Sequence, residues 1–347
     1  MAKITVIGAG AFGLALANTC VDAGHSVTVW SAFAPELEEL RTKHESSKLP
    51  GVKISEQITL TDDLHCLDDT DVAIIGIPSS FVRSVAKQIS PYLNKKTVLV
   101  DTSKGIEAGT FKRMSEVVEE ECPNNPVVAL TGPSHAEELS LGIPTTVAVA
   151  CKDVQYAEYI QDIFTTSTFR LYVNTDVIGC ELGGAMKNII ALACGVSDGL
   201  GYGDNTKAAL MTRGIHEITK LGLAMGAEVD TFGGLTGIGD LIVTCTSVHS
   251  RNRRAGMLIG QGVSPEEAVR QVGTVEGYFC CQVAAALSRK LGVSMPITEE
   301  LNHILYEQGD VRESLHKLMG RPNRHECERY TTLEELNRLH TAPGDHY

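Results

Sequence analysis

The chain opens with Lys3-Ile-Thr-Val-Ile7, an apolar β-branched run, followed at once by Gly8-Ala-Gly10-Ala-Phe-Gly13 and then by the helix-forming Leu14-Ala-Leu-Ala-Asn18. In such a triplet the first glycine permits a tight turn out of a strand. The second lets backbone approach a pyrophosphate at a helix N-terminus, and the third lets helix and strand pack closely. Alone the pattern is weak; between a strand and a helix it points to a dinucleotide site.

Similar apolar runs recur at residues 27–30, 72–77, 97–101, 127–130, 145–150 and 169–173. Short continuous runs of this kind mark strands buried on both faces of a parallel sheet. From Asp176 they thin out, and Leu182, Met186, Ile189, Ala193, Val196 and Leu200 recur at spacings of four and three, a helical period. Ser264-Pro-Glu-Glu267 reads as a helix start, with a serine cap and proline in the first turn. The expected fold class is α/β: a Rossmann-like doubly wound sheet over residues 1–175, then a mostly α-helical domain over 176–347. The polar tail from Arg321 is expected to fray at its end.

Lys187 is the sole charged residue within 182–197, and Gly183, Gly184 and Ala191 are its helical neighbours. Desolvation there disfavours an ammonium and would leave the neutral amine that a general base needs, although a lysine snorkelling from a domain seam has the same signature. Asn188 beside it suits a substrate hydroxyl or an ordinary polar contact. Asp101-Thr-Ser-Lys104-Gly105 and Gly132-Pro-Ser134-His-Ala136-Glu-Glu138 each follow a strand-like run at its carboxyl end, where open α/β sheets gather ligands. Either is also an ordinary turn; on adjacent strands they make a crevice.

The balance of 43 acidic against 30 basic residues gives a formal net charge of -13, which argues against nucleic acid as a partner. An anionic substrate must then be held by local donors. Ser250-Arg251-Asn252-Arg253-Arg254 supplies them, since a guanidinium fork grips phosphate bidentately. Asp240, in Gly237-Ile-Gly239-Asp240, is placed to orient a lysine or to cap a helix. The 10 cysteines show no metal-type spacing and read as reduced, packed thiols of a cytoplasmic protein. No run approaches the ~20 uninterrupted apolar residues of a membrane span. Gly8, Gly10 and Gly13 make the N-terminus a poor signal peptide. The run at 27–30 ends in Ser31-Ala32-Phe33, without the acid that takes a ribose 2′-hydroxyl, while Arg41 and Lys43 could meet a 2′-phosphate or be solvated surface residues. NAD and NADP both stand.

Further stretches complete the pattern: Thr102-Ser-Lys104-Gly, Thr131-Gly-Pro-Ser134-His-Ala-Glu-Glu138, Glu181-Leu-Gly-Gly-Ala-Met-Lys187-Asn188, Gly201-Tyr-Gly-Asp-Asn-Thr-Lys-Ala-Ala209, Gly239-Asp-Leu and Thr274-Val-Glu-Gly277. With the glycine triplet and Ser250–254, in this order, they resemble the NAD(P)-dependent sn-glycerol-3-phosphate dehydrogenases of the bacterial type, from about residue 3 to about residue 320.

The resemblance implies reversible reduction of dihydroxyacetone phosphate to sn-glycerol 3-phosphate with NAD or NADP, a supply for phospholipid synthesis, and a homodimer. It makes Lys187 the general base that exchanges a proton with the C2 oxygen, and Lys104 a contact to substrate and cofactor that polarises that oxygen. Gly132, Ser134 and Asn188 would touch the substrate, and Asp240 would stand beside the base. Ser250, Arg251 and Asn252 would clamp the phosphate, with Arg251 also near the cofactor. Ala11 and Phe12 would lie in the pyrophosphate loop with Gly8, Gly10 and Gly13; Ala136, Thr274 and Glu276 would lie against the cofactor. Many members carry a basic residue or His just after the second strand, where Ala32 and Phe33 stand here, and the 203–209 run is equally similar to the eukaryotic NAD-linked branch. Two other readings share the dinucleotide domain: a β-hydroxyacid or phosphogluconate-type dehydrogenase, and a catalytically silent sensor.

Overall fold

The seven apolar runs form strands and an eighth joins them: β1 (Lys3–Ile7), β2 (Ser26–Trp30), β3 (Thr59–Thr61), β4 (Val72–Ile75), β5 (Val98–Asp101), β6 (Val127–Thr131), β7 (Thr145–Ala150) and β8 (Phe169–Asn174). They make one sheet in the order β3-β2-β1-β4-β5-β6-β7-β8. Six of its neighbouring pairs are parallel, while β6 and β7 run antiparallel. This computed structural model describes residues 1–323 together with 325 and 326, so the expectation for the tail beyond Arg321 lies almost wholly outside the described residues.

Alternate side chains of each strand point to opposite faces, so a strand buried on both sides must be apolar throughout. In β4, Val72 and Ile74 join one core while Ala73 and Ile75 join the other. Helix α1 (Ala11–Asp22) packs Leu14 and Leu16 into the first core. Helix α2 (Ala34–Lys43) adds Leu40 to the first core, and α3 (Val82–Ile89) and α4 (Met114–Glu121) add Val82, Ala86, Val117 and Val118 to the second. Helices α5 (Ala136–Ser140) and α6 (Val154–Phe164) complete this half. Three details differ from the sequence reading. The short, half-exposed edge strand β3 lies in a stretch with no apolar run. The apolar run to residue 77 stops as strand at Ile75, because Gly76 turns to lie against Gly13. The reversal at β7 is the third.

The chain forms two compact units, Met1–Glu181 and a second from Leu182 on, and the division falls within helix α7 (Val177–Gly199). Among the described residues the second unit is helical: α8 (Asp204–Ala224), α9 (Val229–Phe232), α10 (Asp240–Thr246), α11 (Arg251–Gly260), α12 (Pro265–Val272), α13 (Glu276–Leu291), α14 (Pro296–Tyr306) and α15 (Val311–Met319). Ser264 caps α12 by accepting from the Glu267 N–H, as its sequence requires. Every position from 181 to 197 is buried, so α7 is enclosed all round rather than along one stripe. By length and hydropathy α7 passes for a membrane span, yet 94% of its apolar window is buried inside the protein.

Glycines four apart explain how α7 is enclosed. A Cβ on Gly195 would stand 2.1 Å from the Arg253 carbonyl oxygen, and one on Gly256 would stand 2.1 Å from that of Leu192. Gly199 and Gly260 repeat the relation one turn later, at 2.2 Å from Met257 and 2.3 Å from Val196. Helices α7 and α11 therefore cross backbone to backbone.

At its start α7 also closes a buried polar cluster of the first unit. Glu181 accepts from the Ser115 N–H at 2.7 Å and from the Ser115 hydroxyl at 2.6 Å, at the N-terminus of α4, and pairs with the buried Arg113 guanidinium. Burial still pushes the Glu181 carboxyl above its ordinary range, with Arg113 opposing.

Candidate active site

The glycine triplet forms the turn between β1 and α1. Gly8 sits at φ +100°, and a Cβ there would lie 2.6 Å from Ile77 and 3.2 Å from the Gly76 oxygen. A Cβ on Gly13 would lie 2.9 Å from the Gly8 oxygen. Gly10 begins α1 with no side-chain cap, and no acidic residue occupies the first turn, which includes Ala11 and Phe12. The N–H groups at this helix start and their partial positive charge suit a pyrophosphate. The residues thus fit a dinucleotide.

Next to this turn, the Gly8 N–H donates to the Trp30 carbonyl at 2.8 Å, which brings the end of β2 alongside. The Ser31 hydroxyl then donates to Glu36 Oε2 at 3.0 Å, while Ala32 and Phe33 are exposed. Arg41 donates to the Leu60 carbonyl, and Lys43 lies 3.9 Å from Glu39.

Farther along the same sheet edge, the β5 loop is fastened to the β4 loop: Thr102 and Ser103 donate to the Ile75 and Ile77 carbonyls at 2.9 and 3.0 Å. A Cβ on Gly105 would strike Ser79 at 2.5 Å. Lys104 Nζ donates to the Gly132 carbonyl at 3.2 Å, and the Ser134 hydroxyl donates to the same oxygen at 3.0 Å. Gly132 holds φ +137° against Val147, and Ala136 is buried as the first residue of α5. The two loops picked out on adjacent strands do converge, on one carbonyl.

In the second unit Lys187 is buried on α7, paired with Asp240 and donating to the Thr244 hydroxyl at 2.8 Å. The glycines explain the meeting. A Cβ on Gly183 would lie 2.6 Å from the carbonyl oxygen of Thr236, which belongs to a single π-helical turn, Leu235–Gly239. Lys187 and Asp240 each lie one turn beyond that contact, at the same height. Asn188 accepts from Asn252 Nδ2 at 3.0 Å, and Asn252 Oδ1 accepts from the Gly277 N–H at 2.8 Å, a bridge joining α7, α11 and α13. Ser250 caps α11 by accepting from the Arg253 N–H at 3.2 Å. Arg251 is exposed as the first residue of that helix. Arg253 turns away to Asp198, 2.7 Å distant, and so does not serve the basic cluster expected at 250–254. Thr274 and Glu276 are half-buried just before and at the start of α13.

Two family models match the chain: NAD-dependent glycerol-3-phosphate dehydrogenase N-terminus over residues 3–157 and C-terminus over residues 176–316. The chain belongs to this dehydrogenase family. It is 47% identical to a glycerol-3-phosphate dehydrogenase [NAD(P)+] of Desulfitobacterium hafniense over 100% of this chain and 99% of that one. Identity to one from Bacillus cereus is 49%, over 94% and 98%. The crystal structure of glycerol-3-phosphate dehydrogenase from Coxiella burnetii superposes with a TM-score of 0.88 at 34% identity, covering 92% of this chain and 99% of that chain. In this glycerol-3-phosphate dehydrogenase family member Thr244, which stands in the Gly237–Cys245 stretch of the sequence without an expected role, is the second partner of Lys187, and Gly76, also without one, faces Gly13 across the turn. A glycine at a strand end was the available signal for Gly76; nothing local marks Thr244.

Proposed function

We propose that this chain interconverts dihydroxyacetone phosphate and sn-glycerol 3-phosphate, using NAD(H) or NADP(H), and so supplies glycerol 3-phosphate for phospholipid synthesis. The observation that carries the reading is the buried Lys187, held by Asp240 and Thr244 beside the Asn188–Asn252 bridge and the head of α11. Residues 1–175 would bind the dinucleotide and 176–347 the substrate. Gly8, Gly10, Ala11, Phe12 and Gly13 would hold the pyrophosphate, and Lys104, Ala136, Arg251, Thr274 and Glu276 would contact the same cofactor. When bound, the nicotinamide supplies or takes the hydride.

The rest falls to the side chains. Lys187 Nζ gives its proton to the C2 oxygen as that oxygen gains charge in reduction, and takes it back in oxidation. Asp240 and Thr244 fix the direction of the amine and offset the ammonium between turnovers. Lys104 polarises the C2 oxygen, with Gly132 and Ser134 beside it, and Asn188 holds a hydroxyl. Ser250, Arg251 and Asn252 grip the phosphate. That phosphate is remote from the reacting carbon, so its binding energy positions C2, an effect that reaches about 7–11 kcal/mol in favourable cases.

We further propose a homodimer in the cytoplasm. The nine cysteines among the described residues are free, in keeping with a reducing compartment. The deciding experiment is initial-rate oxidation of NADH and NADPH by the purified protein, with and without dihydroxyacetone phosphate. Substrate-dependent loss of absorbance is the expected result; none with either cofactor rejects the activity, and a panel in which a carboxylate compound outcompetes the phosphate shifts it to the β-hydroxyacid class. Sedimentation gives the oligomeric state.

A further inference from the structure

We infer that this chain selects NAD(H) over NADP(H), and that Glu36, anchored on Ser31, makes the selection. The inference rests on the dinucleotide-dependent reading above and decides what that reading leaves open.

In doubly wound sheets the adenine ribose lies at the end of the second strand, where an acid accepts from its 2′-hydroxyl or a basic group meets a 2′-phosphate. No acid follows Trp30 directly in this sequence. The structure brings one there from the next helix. The Gly8 N–H bonds to the Trp30 carbonyl, so the residue after Trp30 adjoins the pyrophosphate turn. That residue, Ser31, is 1% exposed, and its hydroxyl accepts from the Phe33 N–H at 3.2 Å while donating to Glu36 Oε2 at 3.0 Å. Ser31 is therefore a positioning residue, and Glu36 presents a partly exposed carboxylate.

The surroundings oppose a second anion. The start of α2 would otherwise attract one, but Glu36 already occupies its first turn. From Ser31 to Leu40 there is no basic residue, whereas Glu38 and Glu39 add further negative charge. Arg41 is drawn to the Leu60 carbonyl on β3. Lys48 pairs with Glu36 Oε1 and offsets a single charge. A 2′-hydroxyl finds an acceptor in this corner, and a 2′-phosphate of about −2 charge meets a carboxylate.

The test is calorimetric titration of the purified full-length protein with NADH and, separately, NADPH. Expected is a dissociation constant at least about tenfold lower for NADH. Glu36→Gln, which keeps an acceptor for Ser31 and removes the charge, should narrow that ratio by about tenfold, chiefly through tighter NADPH binding. Ser31→Ala should narrow it less. Should Glu36→Gln fail to fold, Ala32→Arg, at an exposed position on the same loop, should tighten NADPH binding and leave NADH binding unchanged. Equal binding of both dinucleotides, or an unchanged ratio in folded Glu36→Gln, overturns the selection alone. Binding of neither overturns the dinucleotide reading with it.

Discussion

At the scale of single residues, what matters at Lys187 is charge held out of water. A buried ammonium stripped of its carboxylate costs about 3–5 kcal/mol, so Asp240→Leu should lower the urea midpoint steeply even without substrate. Lys187→Ala is expected to reduce kcat by about 100-fold or more, the low end of general acid–base contributions, with a smaller change in KM. Arg251 is exposed and makes the opposite contrast. Its truncation should leave stability within about 0.5 kcal/mol and raise KM for the phosphate substrate by the equivalent of about 2–4 kcal/mol; an unchanged KM would remove it from the clamp. Lys187 and Asp240 were both visible in the sequence by residue type and glycine context. Asp240 reads as an acid placed to orient a lysine or to cap a helix, and the structure pairs it with Lys187; what the sequence left unmarked is the π-helical turn that precedes Asp240, 53 positions from its partner. Glu36 is hidden from sequence for a related reason: the acid of this corner stands not at the end of the strand but in the first turn of the next helix.

Helices and strands were legible to different degrees. Continuous apolar runs betray buried strands, because both faces must then be apolar, and seven of the eight strands lie where such runs stand; β8 departs from that reason, alternating buried Phe169 and Leu171 with exposed Arg170 and Tyr172. The direction of β7 leaves no mark in composition, since parallel and antiparallel strands buried on both faces need the same side chains. Glycine spacing in α7 was legible only in part: the Gly183-Gly184 pair stood out, while the Gly195/Gly199 and Gly256/Gly260 pairs acquire meaning only when seen facing each other. Gly256→Ala should push α11 from α7 and cost about 1–3 kcal/mol or more, with loss of phosphate-substrate affinity as Arg251 and Asn252 shift. Gly203→Ala is the control. It has nothing within 4 Å and an ordinary φ, so its thermal midpoint should reflect no more than the loss of a glycine N-cap on α8, about 1 kcal/mol or less.

For the whole molecule, acidity is the informative variable. Burial pushes the Asp101 carboxyl up to about 7, with Glu181 adding to the shift. Burial likewise pushes Glu217 up to about 7, against the Ile297 and Thr298 N–H groups that it accepts from. Both folded values exceed the unfolded value of about 4. Between about pH 4 and pH 7 the folded chain therefore keeps protons that the unfolded chain has lost, and these two groups make stability fall as pH rises. Urea midpoints at pH 5 and pH 7.5 should show this decline, on the order of a few kcal/mol, and Asp101→Asn with Glu217→Gln should flatten it. Helix α7 adds a matter of timing. A chain made from its N-terminus presents Arg113 and Ser115 well before Glu181, and domains generally fold as they emerge. The sheet can assemble on the ribosome, but its last buried anion arrives with the opening turns of a helix whose remainder belongs to the other unit. Maturation of the first unit is thereby clocked by translation into the second.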